Sequence, residues 1–284
     1  MRKSIALRKL SNSPIGVFDS GLGGLTVLSA MRQAMPHESM VYLGDTARVP
    51  YGTKSAQTVV NYALSNAATL LEHGPLKMLV VACSTASSVA LPALQAALSI
   101  PVVGSIDPGA KAAFASKASS IAVLATAGTV ASNAYEISLR QMGFTGTVIS
   151  KACPVFVPLV EEGMVTGDIA EAIVAHYLAD IPRTVDAIIL GCTHYPLLLP
   201  TLQKVFKAPV QWIDSGKMTA KFVNEELQKQ NLLAIETSAP NYHYLVSDAP
   251  ARFEQLSAFY FGEPVEKGNV ELVDIKASVE QVKI

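Results

Sequence analysis

The sequence predicts an α/β protein of two similar domains with mainly parallel sheets, pseudo-symmetric, with its functional site in the cleft between them. Three observations carry this reading. Strand-like and helix-like segments alternate along almost all of the 284 residues, the pattern of successive βαβ units. The strand segments are continuously apolar, as strands covered on both faces are. The two halves also repeat. Ile15-Gly-Val-Phe-Asp-Ser-Gly aligns with Ile121-Ala-Val-Leu-Ala-Thr-Ala-Gly, and Met78-Leu-Val-Val-Ala-Cys-Ser-Thr with Ala187-Ile-Ile-Leu-Gly-Cys-Thr-His. The spacing agrees, since 68 residues separate Ile15 from Cys83 and 71 separate Ile121 from Cys192.

Taken in order, Pro14–Phe18 is a short apolar strand, after which Leu25, Leu28, Met31 and Met35 keep helical spacing. Met40–Leu43 is a second strand. Val60, Ala63, Ala67 and Leu70 mark a long helix that stops at Gly74, a glycine in the C′ position. Met78–Ala82 is a third strand, followed by a helix and then by Pro101–Ile106 as a strand. Ile121–Ala125, Thr147–Ser150, Ala187–Gly191 and Val210–Ile213 continue the rhythm, and Tyr242-His-Tyr-Leu-Val is a late strand.

Composition narrows the function classes. Half of the residues are hydrophobic and only 16% are charged, against about 25% in an average soluble domain. The net charge is −1 with no basic block, so neither nucleic acid nor a membrane surface is an expected partner. The 29 residues between Lys77 and Asp107 carry no formal charge, longer than a membrane helix needs. They include five serines, Thr85, Pro92, Pro101 and Gly104, and therefore read as strand, loop, helix and strand of a buried core. The basic start lacks the uninterrupted apolar run of a signal peptide. The chain is expected to be soluble and cytoplasmic.

Three cysteines, Cys83, Cys153 and Cys192, cannot all pair within one chain, and none has Cys-x-x-Cys spacing. Three loops lie just past strand ends, where open α/β sheets bind ligands. The first is Asp19-Ser-Gly-Leu-Gly-Gly, which is not a nucleotide fingerprint. Its glycines serve as turn formers and Asp19 as an N-cap, or the loop offers backbone N–H groups to a carboxylate. The second contains Cys83-Ser84-Thr85 and the third Cys192-Thr193-His194-Tyr195. A thiol at a helix start is expected to have its pKa lowered toward neutrality. Ser84, Thr85 and Thr193 add hydroxyls, and His194 can tune or protonate a neighbour. One such cysteine alone reads as core packing, whereas two in equivalent positions of a repeat suit a reaction symmetric about a carbon. One thiolate takes a proton from one face while the other thiol delivers one to the opposite face. That is racemisation or epimerisation.

At these residues the chain resembles the glutamate racemases, of the cofactor-independent aspartate/glutamate racemase family. The matching blocks run in order from about residue 14 to about 262. They include Ile15-Gly-Val-Phe-Asp-Ser-Gly-Leu-Gly-Gly, Tyr42-Leu-Gly-Asp-Thr-Ala-Arg-Val-Pro-Tyr-Gly, Val81-Ala-Cys-Ser-Thr, Gly128-Thr-Val-Ala-Ser-Asn-Ala-Tyr, Ala152-Cys-Pro-Val-Phe-Val-Pro-Leu-Val-Glu-Glu-Gly and Leu190-Gly-Cys-Thr-His-Tyr-Pro. The resemblance implies glutamate as a small-molecule substrate, no pyridoxal phosphate or other cofactor, no metal, and a homodimer. D-Glutamate made this way would supply peptidoglycan. It also implies that Cys83 acts on D-glutamate and Cys192 on L-glutamate, with Asp19 and His194 assisting and Glu161 a further acidic group. Asp19, Ser20, Tyr51, Gly52, Ser84, Thr85, Thr193 and His194 match substrate-binding positions. Because the family's chain returns to its first domain near the end, residues 1–106 plus 214–284 form the first domain and 107–213 the second.

One position departs from the pattern. Where these racemases usually read Cys-Asn-Thr, this chain has Cys83-Ser84-Thr85, and serine reaches less far than asparagine. Ser84→Asn is therefore expected to leave activity unchanged or to raise it. Asp45 and Arg48 either touch substrate or position Tyr51. Cys153, followed by Pro154, is expected to be structural, as are His37, His73, His176 and His243, which lack ligand spacing. No function is read in the first dozen residues or in Val265–Ile284. Two other readings stand beside this one: a related racemase acting on aspartate or a hydantoin, and a non-catalytic binder of dicarboxylates or of a protein partner.

Overall fold

The computed structural model describes residues 10–234, 239–266 and 268–275. The extreme N-terminal segment and residues 276–284 of the tail lie outside them. Among the described residues, ten strands form two all-parallel sheets. The first contains β1 (Ile15–Asp19), β2 (Met40–Gly44), β3 (Met78–Val81), β4 (Val102–Gly104), β9 (Tyr242–Val246) and β10 (Val270–Leu272), in the order β10-β9-β2-β1-β3-β4. The second contains β5 (Ser120–Ala125), β6 (Thr147–Ala152), β7 (Ala187–Gly191) and β8 (Gln211–Asp214), in the order β6-β5-β7-β8.

The order β2-β1-β3-β4 recurs as β6-β5-β7-β8. The aligned segments thus become topologically equivalent strands, β1 with β5 and β3 with β7. In each sheet the strand order reverses between this pair, and it is outside the carboxyl ends at such a reversal that open parallel sheets bind ligands. Every residue of β1, β3 and β7 is buried, which accounts for their unbroken apolar runs.

Eleven α-helices lie among the described residues. Those that matter for the site are α1 (Leu25–Ala34), α2 (Ala56–Glu72), α3 (Ser84–Ala97), α4 (Ile106–Ala115), α5 (Ala127–Ala131), α6 (Ala134–Gln141), α7 (Phe156–Glu161), α8 (Asp168–Leu178), α9 (Leu199–Phe206), α10 (Ser215–Lys229) and α11 (Pro250–Phe261). Helix α2 ends as the sequence predicts, with Gly74 at φ +132 beyond its last turn. Helix α10 packs on both α1 and α4 and so touches elements attached to each sheet.

The structure corrects the strand expected over Pro101–Ile106. Only Val102–Gly104 is extended, and Ile106 already begins α4, with Asp107 and Pro108 in its first turn. An acid and a proline both suit a helix start. The late strand at 242–246 occurs as predicted. Its neighbour β10 was not legible, since three residues at a sheet edge carry no periodicity. None of the helices among the described residues is long and apolar enough to cross a membrane.

A buried ion pair closes the opposite end of the first sheet. Lys77 pairs with Glu38, and both side chains are almost wholly buried. The Lys77 ammonium also donates to the Ser11 carbonyl at 2.7 Å and the Leu232 carbonyl at 2.9 Å. Glu38 accepts from the Ala234 N–H at 2.7 Å. Desolvation lowers the Lys77 pKa while Glu38 opposes that shift. Removing one partner of such a pair strands the other charge, which costs about 3–5 kcal/mol. Lys77→Ala is expected to lose roughly that much stability in urea unfolding. A loss below about 1 kcal/mol would contradict the arrangement.

Candidate active site

The loops after β1, β3 and β7 converge on one cavity. It is lined by Ser20, Gly21, Val49, Pro50, Tyr51, Gly52, Cys83, Ser84, Thr85, Thr126, Val157, Glu161, Cys192, Thr193 and His194. Ten of the eleven residues predicted for the site are in that lining. Asp19 is set behind it, fully buried. The free space is about 30 Å³, room for about one or two waters.

Cys83 is the N-cap residue of α3, as expected, and its sulfur lies 3.7 Å from the Ser20 hydroxyl. The expected lowering of its pKa does not occur. Burial, reinforced by the neighbouring Asp19 charge, pushes the Cys83 thiol up to about 12, and contacts with the Ala86 N–H and Ser20 only moderate this. The dipole of one helix is outweighed by loss of water and by a like charge.

Cys192 departs from expectation in a different way. It follows β7 but does not start an α-helix: its carbonyl accepts from the Tyr195 N–H at 3.1 Å, leading into a short 3₁₀ turn at Tyr195–Leu198 before α9. Pro196 and Pro200 limit the N–H groups available here. The charge partner of Cys192 is instead a side chain. His194 Nδ1 is 3.9 Å from the Cys192 sulfur, and its Nε2 is 3.2 Å from Glu161 Oε1. Burial by itself would lower the His194 pKa, but contacts with Cys192 and Glu161 and the charge of Asp19 raise it to about 10. The ring of Tyr260 packs edge-on against His194 at 5.7 Å.

A His pKa above its unfolded value near 6.5 contributes stability that is complete below that value. It is lost as pH rises through about 10.

Asp19 caps its own loop rather than α1, accepting from the Gly21 N–H at 3.0 Å and from Gly24. Its other oxygen accepts from the Thr193 hydroxyl at 3.4 Å, and burial raises its pKa. The first loop therefore touches the third. Thr26 also donates to the Thr193 carbonyl at 2.8 Å. Gly23 is pressed so close that a Cβ there would lie 2.3 Å from Thr193 Oγ1 and 2.4 Å from His194 Nδ1.

Tyr51 is held by a polar cluster: its hydroxyl donates to Asp45 and accepts from Asn66 Nδ2 at 3.0 Å. Arg48 joins Asp45 at 2.7 Å and Asn66 at 2.8 Å. Neither Asp45 nor Arg48 lines the cavity, so both position Tyr51. Gly52 abuts Thr126, where a Cβ would fall 2.8 Å from the threonine Cβ. The hydroxyls of Thr85, Thr126 and Thr129 form a cluster, with Thr85 and Thr126 at 2.9 Å and Thr126 and Thr129 at 3.0 Å. The sequence reading did not single out Thr126, although the internal repeat sets it opposite Ser20.

Cys153 is buried and its carbonyl accepts from the Tyr195 hydroxyl at 2.8 Å. Among the described residues, no lysine or arginine lines the cavity and no group of three or more His, Cys, Asp or Glu side chains is arranged to hold a metal.

A family model described as Asp/Glu/Hydantoin racemase matches residues 19–223. A glutamate racemase of Geobacter metallireducens is 44% identical over 268 residues, covering 94% of this chain and 98% of that protein. The crystal structure of a glutamate racemase isoform from Bacillus anthracis superposes with a TM-score of 0.87 at 38% identity, covering 93% of this chain and 98% of that one. The glutamate racemase of Francisella tularensis in complex with D-glutamate gives a TM-score of 0.86 at 34% identity, with the same coverage of each chain.

Proposed function

The chain belongs to the Asp/Glu/hydantoin racemase family, and from that premise we propose that it interconverts L- and D-glutamate by two-thiol proton transfer at Cα. The likeness to glutamate racemases over nearly the whole chain supports the substrate. The observation that carries the chemistry is that Cys83 and Cys192, from equivalent strands of two matching sheets, line one cavity.

From L-glutamate, the Cys192 thiolate removes the α-proton from one face and the Cys83 thiol gives its proton to the other. From D-glutamate the roles reverse. Burial and the Asp19 charge keep Cys83 protonated, the form needed to donate. The protonated His194, with Glu161 behind it, offsets negative charge at the Cys192 sulfur. Cys83 must lose its proton in the reverse direction, and Asp19 is the adjacent carboxylate that receives it.

With no cation in the lining, the substrate carboxylates go to N–H groups at the start of α3 and to the hydroxyls of Ser20, Ser84, Thr85, Thr126 and Thr193. The α-proton beside a carboxylate is very weakly acidic. Preorganised donors in a site closed to water stabilise the developing charge. We place residues 1–106 with 214–284 in one unit and 107–213 in the other, so that substrate sits where they meet. The product supplies D-glutamate to peptidoglycan synthesis in the cytoplasm.

Purified protein given L-glutamate or L-aspartate without added cofactor tests the assignment by chiral chromatography. D-Glutamate is expected to accumulate to about equal amounts with the L form, and aspartate to remain unchanged. Aspartate racemised with glutamate untouched would assign a sister activity. Binding of glutamate without inversion would favour a non-catalytic site.

Two variants probe the polar groups. Glu161→Gln removes an anion that helps keep His194 protonated, so the alkaline limb of kcat/KM for L-glutamate should move down by about one pH unit. An unmoved limb would remove Glu161 from the account. Ser84→Asn should match or exceed wild-type activity, because an amide has donors and an acceptor to spare. A loss greater than about tenfold would mean that the pocket is fitted to serine.

A further inference from the structure

We propose that Tyr42 is a positioning residue: by pinning the Gly21 carbonyl, its hydroxyl holds the first loop in the form that aims the Asp19 carboxylate. The inference rests on the reading of Asp19 as the group that receives the Cys83 proton. Tyr42 lies within β2, wholly buried, and does not line the cavity. It opens the Tyr42–Gly52 sequence block, of which only the end, Tyr51 and Gly52, borders the site.

Strands β1 and β2 run parallel, with Val17 opposite Tyr42 and Asp19 opposite Gly44. The Tyr42 hydroxyl donates to the Gly21 carbonyl at 2.7 Å, in a buried hydrogen bond. A Cβ on Gly24 would lie 2.8 Å from this same hydroxyl oxygen and 2.4 Å from the Asp19 Cβ. The phenol thus meets the loop at Gly21 and again at Gly24. Gly44 closes on the same carbonyl, since a Cβ there would fall 2.7 Å from Gly21 O.

The direction of the bond is not in question, because a carbonyl has no proton to give. Burial, with the charges of Asp19 and Cys83 beside it, raises the Tyr42 pKa well above the ordinary tyrosine value, so the phenol remains a donor. Gly21 is held on both sides. Its N–H donates to Asp19 Oδ2 at 3.0 Å, and its carbonyl accepts from Tyr42. With glycines at 21, 23 and 24, the loop backbone has few restraints of its own. Phenylalanine at 42 would leave an enclosed carbonyl without a donor. The backbone at Gly21 then turns toward another, and its N–H leaves Asp19. That N–H stabilises the charged carboxylate, so its loss raises the Asp19 pKa. The other side chains facing Asp19 are Cys83, Thr193 and His194, and the substitution touches none of them.

The test is a double-mutant cycle read in kcat and KM for both enantiomers, with Tyr42→Phe, Asp19→Asn, the double variant and Tyr244→Phe. Tyr244 is the control: it pairs with Tyr42 in register on β9, and both rings pack on Phe253. Asp19→Asn should lower kcat about a hundredfold. Tyr42→Phe, which keeps the ring, should lower kcat about tenfold with KM within about twofold. Its acid limb of kcat/KM should move up by about half a pH unit or more. In the double variant Tyr42→Phe should add nothing, and Tyr244→Phe should match the parent. Hydrogen exchange of the peptide spanning residues 18–24 should quicken in Tyr42→Phe while that spanning 78–82 stays as it was. If Asp19→Asn lowers kcat while Tyr42→Phe leaves kcat and exchange unchanged, acts on KM alone or is additive with Asp19→Asn, the inference fails and the reading of Asp19 survives. If Asp19→Asn leaves kcat unchanged, the reading of Asp19 fails and the inference with it. A loss in Tyr244→Phe equal to that in Tyr42→Phe would assign the effect to packing on Phe253 and overturn the proposal.

Discussion

Replacing either Cys83 or Cys192 by alanine is expected to lower racemisation by at least about a thousandfold, whichever enantiomer is supplied. The symmetry of the loss is the informative part. If one thiol takes the proton and the other delivers one, each is needed in both directions, because roles exchange with direction. A single nucleophilic cysteine would instead leave its partner dispensable. The double variant should be no slower than either single one, since groups acting as a unit are strongly non-additive. Both cysteines are small and buried, so removing a sulfur should leave the fold intact at a cost of about 1 kcal/mol. Initial rates from L- and D-glutamate, followed by chiral chromatography, make the check. Activity within tenfold of the parent in either variant would refute the two-thiol account.

Gly23→Ala is expected to lower kcat/KM about a hundredfold or more, although residue 23 bears no functional group. The added methyl would fall 2.3 Å from Thr193 Oγ1 and 2.4 Å from His194 Nδ1, and neither neighbour has room to retreat. Thr193 is tied to Asp19, and His194 is 4% exposed, between Glu161 and the Tyr260 ring. The displacement therefore passes to the loop that carries Cys192. Overpacking of this kind also costs about 1–3 kcal/mol of stability, which urea unfolding would register. Unchanged activity in a folded Gly23→Ala protein would mean that the first and third loops are not packed together as described.

These two predictions mark what the sequence could and could not convey. The apolar runs at Ile121–Ala125 and Ala187–Gly191 are legible as strands because burial on both faces leaves no polar alternation to confuse them. The internal repeat goes further, since aligned segments become equivalent strands in the same order in both sheets. The pair of cysteines was visible for the same reason. What escaped depends on contacts across the chain. Gly23 reads as a turn former until Thr193 and His194 are seen against it. Asp45, Arg48 and Asn66 reveal their role only once all three are bonded around Tyr51 or to one another. The thiol environment was misjudged from local position: a helix start suggested a lowered pKa for Cys83, whereas burial and Asp19 govern it. For Cys192 the electrostatic partner is the His194–Glu161 pair, joined over 33 residues of sequence, and not a helix dipole.

The most direct test of the central claim is the fate of the α-hydrogen during early turnover of L-glutamate in D₂O. Two thiols on opposite faces predict that D-glutamate forms with deuterium at Cα, delivered from the exchanged Cys83 thiol, while unreacted L-glutamate keeps its protium. Proton NMR of the separated enantiomers below about a tenth of full conversion reads both quantities. Protium retained in the D-glutamate product, or deuterium entering residual L-glutamate as fast as D-glutamate appears, would point to a single base and contradict the account.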